Sequence, residues 1–110
     1  MERKAVGMPV TQVDAGLAGY RRRIDAIDDR ILAILGERFA VIREVAAYKE
    51  PRGIPAVIPD RVVEVRERCA ARATAHGLEP DFVRALYDLM IEEACRTESR
   101  LMAAPKSRVL

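Results

Sequence analysis

The sequence predicts an all-α fold of three helices, the first of them very long, assembled as an intertwined homodimer. Three observations predict it. Residues 14–49 contain no proline and repeat their apolar residues at a helical period, no segment shows strand alternation, and the apolar seam of the first helix outruns what the rest of the chain can cover. With 110 residues, half of them apolar, the chain is the size of one soluble domain.

The first helix is expected from Asp14 to Lys49, interrupted only by Gly16, Gly19 and Gly36 among good helix formers. EPRGIPAVIP at 50–59 then ends it, because each proline removes a backbone donor and the glycine favours a turn. A second helix is expected from Asp60 to His76, with Val62, Val65, Cys69 and Ala73 on its inner face and Gly77 closing it. Pro80 suits the first position of a third helix, whose stripe Val83, Tyr87, Met90, Ala94 and Leu101 continues to Met102. Residues 14–102 thus form the helical domain, between a flexible N-terminal arm at 1–13 and a flexible C-terminal tail at 103–110.

The dimer follows from length. A helix of about 36 residues is ~54 Å long, whereas a compact domain of this size has a radius of gyration near ~13 Å. Its heptad seam, Leu17, Tyr20, Ile24, Ile27, Ile31, Ile34, Arg38, Val41, Val45 and Tyr48, is apolar or aromatic everywhere but at Arg38. A second copy packed alongside would cover what two shorter helices cannot. In a plain coiled coil Arg38 would be a polar defect that sets register.

Composition narrows the function classes. A formal net charge of +2 gives no whole-chain bias toward nucleic acid or an anionic membrane. Cys69 and Cys95 lack metal-ligand spacing and His76 is the only histidine, so no metal site is expected. No apolar run reaches the ~18 residues of a membrane span, nor does the N-terminus resemble a signal peptide, so the expected location is cytoplasmic, with reduced thiols.

The charged residues on apolar faces carry the chemistry. Lys49 follows Arg38 by eleven residues, which brings the two side chains within about 20° of each other around the helix. Glu98 sits one turn after Ala94 on the third helix, beside its core stripe. Unpaired burial of any of the three is costly, so they form either a structural ion pair or a polar pocket. Arg61 adds a guanidinium at the start of the second helix, where backbone N–H groups also favour anions. Arg21 points about 100° away from Arg38 and would reach such a pocket from an antiparallel second copy. The implied ligand carries more than one carboxylate or phosphate.

These residues resemble, in order and spacing, the all-helical chorismate mutase family: RRRIDAIDDRILAILGERF, then VAAYK, then PDRV, then LYDLMIEEACRTE, covering Leu17 to Met102. Within the family the chain looks most like the 4-amino-4-deoxychorismate mutases of antibiotic pathways, in YK, GIP, PDRV and YDLMIEEACRTE. The resemblance implies a Claisen [3,3] rearrangement of chorismate or 4-amino-4-deoxychorismate, giving prephenate or its 4-amino analogue, with no cofactor, metal or covalent intermediate. It further implies that Arg38 and Arg61 grip carboxylate within a subunit, Arg21 crosses from the other subunit, and Lys49 and Glu98 flank the ether oxygen. By the same resemblance, catalytic roles would fall to Arg38, Lys49 and Glu98, and the substrate would also meet Ile58, Val62 and Ala94.

The chemistry agrees with those residue types. Bidentate arginines fix a carboxylate in position and orientation, while donors at the ether oxygen stabilise the charge that grows there. An ionised Glu98 would repel that oxygen, so it helps only as the protonated acid, its apolar surroundings favouring that form and the nearby cations opposing it, and activity is expected to fall as pH rises. Many chorismate mutases carry glutamine there. The family also places acids where this chain has Ile58 and Val62, which leaves recognition of the ring substituent open. Isochorismate-pyruvate lyases, which form salicylate on this scaffold, are the enzymatic alternative. A helical architectural or nucleic-acid-binding dimer is the other, using the arginines at 21–23, 66, 68 and 72, although Asp25, Asp28, Glu64 and Glu67 between them argue for solvated faces.

Overall fold

The computed structural model describes residues 10–103, with side chains from residue 15 onward, and is all-α across them. The helices are α1 (Val10–Lys49), α2 (Pro59–Arg72) and α3 (Pro80–Met102), with single 3₁₀ turns at Glu50–Arg52 and Thr74–His76. Helix α1 begins four residues before the expected Asp14. Val10 to Val13 contain neither proline nor glycine, so nothing local stops the helix from reaching back toward Pro9. The rest of the expected arm, residues 1–9, and all but residue 103 of the expected tail lie outside the described residues.

Helix α2 is shorter than expected. Its end tightens into the 3₁₀ turn, and Gly77 closes that turn at φ 73°, donating to the Thr74 carbonyl at 3.0 Å while Leu78 donates to Ala73 at 3.0 Å. Both later helices carry proline in the first turn, where the missing N–H costs nothing.

The chain divides into two units, residues 1–37 and 38–110. In the first, the seam residues Leu17, Tyr20, Ile24, Ile27, Ile31 and Ile34 are all exposed. The second unit holds the last turns of α1 together with α2 and α3. Its buried apolar residues are mostly small: Ala46, Ala70, Ala73 and Ala94, with Val83 and Ile91. Within this unit the face of α1 turned to the interior runs through Arg38, Ile42, Val45, Ala46 and Lys49, whereas the seam positions Val41 and Tyr48 are exposed. The heptad stripe and the intrachain packing face are therefore different faces that share Arg38 and Val45. Leu101, expected on the inner stripe of α3, is exposed in that helix's final turn.

Exposed ion pairs link α2 to α3. Arg66 meets Asp88 at 3.1 Å and Arg84 meets Glu67 at 3.0 Å. Hydrogen bonds from Arg84 and then Arg66 hold the Glu67 carboxyl below its usual range. No helix among the described residues is long and apolar enough to cross a membrane.

Candidate active site

The second unit holds an open cavity of about 530 Å³, the size of a small-molecule site. It is bounded by the last turns of α1, the loop before α2, the first turns of α2 and the second half of α3. Arg38 and Lys49 both face it, as their eleven-residue spacing requires, and Glu98 faces it from α3. Arg61, Ile58, Val62 and Ala94 complete the part read from sequence. Arg21 belongs to the first unit, where it is exposed.

Lys49 is held by two acceptors. Its Nζ donates to Glu98 Oε1 at 2.8 Å and to the Ala56 carbonyl at 3.0 Å. An ammonium has three protons, so these two bonds orient the third. The pair is well buried, with side-chain exposures of 13% for Lys49 and 8% for Glu98. The Ala56 carbonyl reaches Lys49 because the loop folds back on the end of α1. Ile54 donates to the Lys49 carbonyl at 3.1 Å, and Gly53 adopts φ 68°, a left-handed conformation that glycine reaches without a Cβ penalty. The Arg52 guanidinium lies over the Tyr48 ring at 3.8 Å and donates to the Tyr48 carbonyl at 2.8 Å, which braces the same turn.

Arg38 presents a different case. Its Nη1 is buried and has no hydrogen-bond partner among the described residues. A buried guanidinium nitrogen without an acceptor is costly, so this atom marks a place for an anion. Arg61 is exposed and paired with Glu64 at 2.9 Å, a surface pair that an incoming carboxylate can replace at small cost. The Arg61 and Val62 amides bond to the Ile58 carbonyl at 3.0 and 3.2 Å, and Ile58, Arg61 and Val62 all line the cavity, which places it at the positive end of the α2 dipole. Three cationic side chains thus line the cavity against one carboxylate.

Sequence reasoning missed the rest of the wall. Val41, Ile42, Val45, Val65 and Ile91 supply apolar surface, and Cys95 sits one turn from Glu98. Burial, and then the Glu98 charge, push the Cys95 thiol up, so it stays protonated. The spacing of Cys95 before Glu98 could have found it. The Ala56 carbonyl leaves no mark in a sequence. The geometry supports two things here: anchoring an anionic ligand at Arg38 and Arg61, and presenting the bonded Lys49–Glu98 pair to the same cavity.

Comparison with known proteins gives the same direction. Residues 20–99 match the family model described as chorismate mutase type II. A 4-amino-4-deoxychorismate mutase from Streptomyces venezuelae is 37% identical over 87 residues, 79% of this chain and 84% of that protein. One of the same description from Streptomyces pristinaespiralis is 34% identical over 88 residues, 80% of this chain and 68% of that protein. A chorismate mutase from Methanocaldococcus jannaschii is 30% identical over 76 residues, 69% of this chain and 77% of that protein. With the three-helix fold and the cationic cavity, these matches show that the chain belongs to the type II chorismate mutases, a family of isomerases.

Proposed function

We propose that this chain rearranges 4-amino-4-deoxychorismate, or chorismate itself, by a Claisen [3,3] shift. The ether C–O bond breaks as a C–C bond forms between the enolpyruvyl arm and the ring, and the product is an isomer of the substrate. The observation that carries this reading is the buried, partnerless Nη1 of Arg38 in a cavity whose far side holds the Lys49–Glu98 pair. Arg38 and Arg61 grip carboxylate and hold the arm over the ring. The third proton of Lys49 meets the ether oxygen, and Glu98, when it carries a proton, donates to the same atom. Ile58 and Val62 form the wall beside the ring. The two Streptomyces likenesses favour the amino substrate.

The working form we propose is a homodimer in which Arg21 of a second copy reaches this cavity. Only six apolar residues are buried among the described residues, against seventeen large apolar side chains that are exposed. A chain of this size with so thin a core gains its stability by covering the α1 seam with another copy. We place the protein in the cytosol as part of aromatic or antibiotic biosynthesis; its free thiols, Cys69 and Cys95, suit a reducing compartment.

Incubation of purified protein with chorismate, isochorismate and 4-amino-4-deoxychorismate, with products resolved chromatographically, tests the reading. Conversion of the amino substrate to its prephenate analogue is expected. Salicylate and pyruvate from isochorismate alone would replace rearrangement by lyase chemistry.

A further inference from the structure

We propose that Tyr87, which lies outside the cavity, is the positioning residue for Arg38, holding the guanidinium by its ring face so that the N–H donors stay free for substrate. The inference rests on the reading of the cavity given above. The Arg38 Cζ stands 5.9 Å from the Tyr87 ring centroid, within the range at which a cation is drawn to an aromatic face. Two arginines of α3 are held by carboxylates, Arg84 by Glu67 at 3.0 Å and Arg96 by Glu93 at 2.6 Å. Arg38 instead keeps a buried Nη1 without an acceptor.

That difference has a chemical reason. A carboxylate that fixed the buried side of Arg38 would occupy its donors and cancel its charge, and could not be displaced as cheaply as the exposed Glu64 is from Arg61. A ring fixes the plane of the guanidinium through its quadrupole and takes up no N–H group. Tyr87 is itself anchored. It shares a cavity of about 370 Å³ between α2 and α3 with Cys69, and burial followed by a hydrogen bond with that thiol pushes its phenol up. The ring therefore remains a neutral phenol across ordinary assay conditions, with α2 side chains lining the cavity beside it.

A double-mutant cycle decides the matter, with a bicyclic ether dicarboxylate that mimics the chair transition state as the calorimetric probe. Tyr87→Leu is expected to weaken probe binding about tenfold when Arg38 is present and by less than about twofold in the Arg38→Ala background. Tyr87→Phe, which keeps the ring, is expected to restore affinity to within about threefold. Tyr87→Met replaces the leucine variant in the cycle should that one fail to fold. Equal weakening in both backgrounds, or a phenylalanine variant as poor as the leucine one, would overturn the proposal and leave the cavity reading standing. Failure of the unaltered protein to bind the probe would sink both.

Discussion

Replacement of Lys49 by methionine separates a structural ion pair from a catalytic one. The ammonium lies 2.8 Å from Glu98 Oε1, and the two side chains are 13% and 8% exposed, so its loss strands a carboxylate beside the Ala56 carbonyl and the Cys95 thiol. Breaking a fully buried pair in this way costs about 3–5 kcal/mol. Here the open cavity admits water to Glu98, which lowers the figure to about 2–3 kcal/mol, or roughly 10 °C in Tm for a chain of this size. Adding Glu98→Gln removes the stranded charge, so the double variant should return to within about 1 kcal/mol of the parent. Turnover should behave otherwise. On the proposed mechanism both variants lack the ammonium that meets the ether oxygen and should lose about 10²–10³ in kcat. Urea unfolding at one fixed protein concentration, alongside product formation, measures the two effects. Recovery of turnover together with stability in the double variant would refute the catalytic role and leave Lys49 a counterion.

Three further outcomes follow from the same geometry. If Glu98 donates to the ether oxygen, Glu98→Gln, which keeps a donor there, should retain turnover to within about tenfold of the parent, whereas Glu98→Leu, which has none, should lose about 10²–10³ in kcat; equal losses in the two variants would count against the role. Gly53 and Gly77 adopt φ 68° and 73° with no atom within 4 Å of an added Cβ, so alanine at either should cost about 1 kcal/mol through backbone strain alone. Gly53→Ala should in addition raise KM, because its turn delivers the Ala56 carbonyl to Lys49, and equal KM values for the two variants would remove that link. Hybrid dimers of Arg21→Ala and Arg38→Ala chains should regain activity that neither variant has alone, since one of the two sites then holds both arginines; a mixture as inactive as its parts would argue against donation across subunits.

Much of this architecture was legible in the sequence because its signals are local. Proline at 51, 55, 59 and 80 and glycine at 77 punctuate the helices, and the structure differs from the expected bounds only at the start of α1 and at the two ends of α2, by one residue at its start. Arg38, Lys49 and Glu98 stand out in the sequence as charges on apolar faces, and helical periodicity aligns the first two, while the meeting with Glu98 on another helix depends on packing. Other features depend on distance across the fold. A heptad stripe says that a face is to be covered without saying by what, so the exposure of Val41 and Tyr48 and the inward turn of Ile42 and Ala46 emerge only from packing. Tyr87 read as an ordinary core aromatic, and nothing in its spacing tied it to Arg38, which lies on another helix. Ala56 contributes a backbone oxygen, an atom that every residue possesses.

The most direct measurement follows the conversion of chorismate and 4-amino-4-deoxychorismate by proton NMR with the parent protein and with Arg38→Ala. The account predicts rearranged product from at least one of them with the parent, and a loss of at least about a hundredfold in kcat/KM when the guanidinium is removed. Product formation that survives the substitution undiminished, or a parent protein that leaves both compounds unchanged, would contradict it.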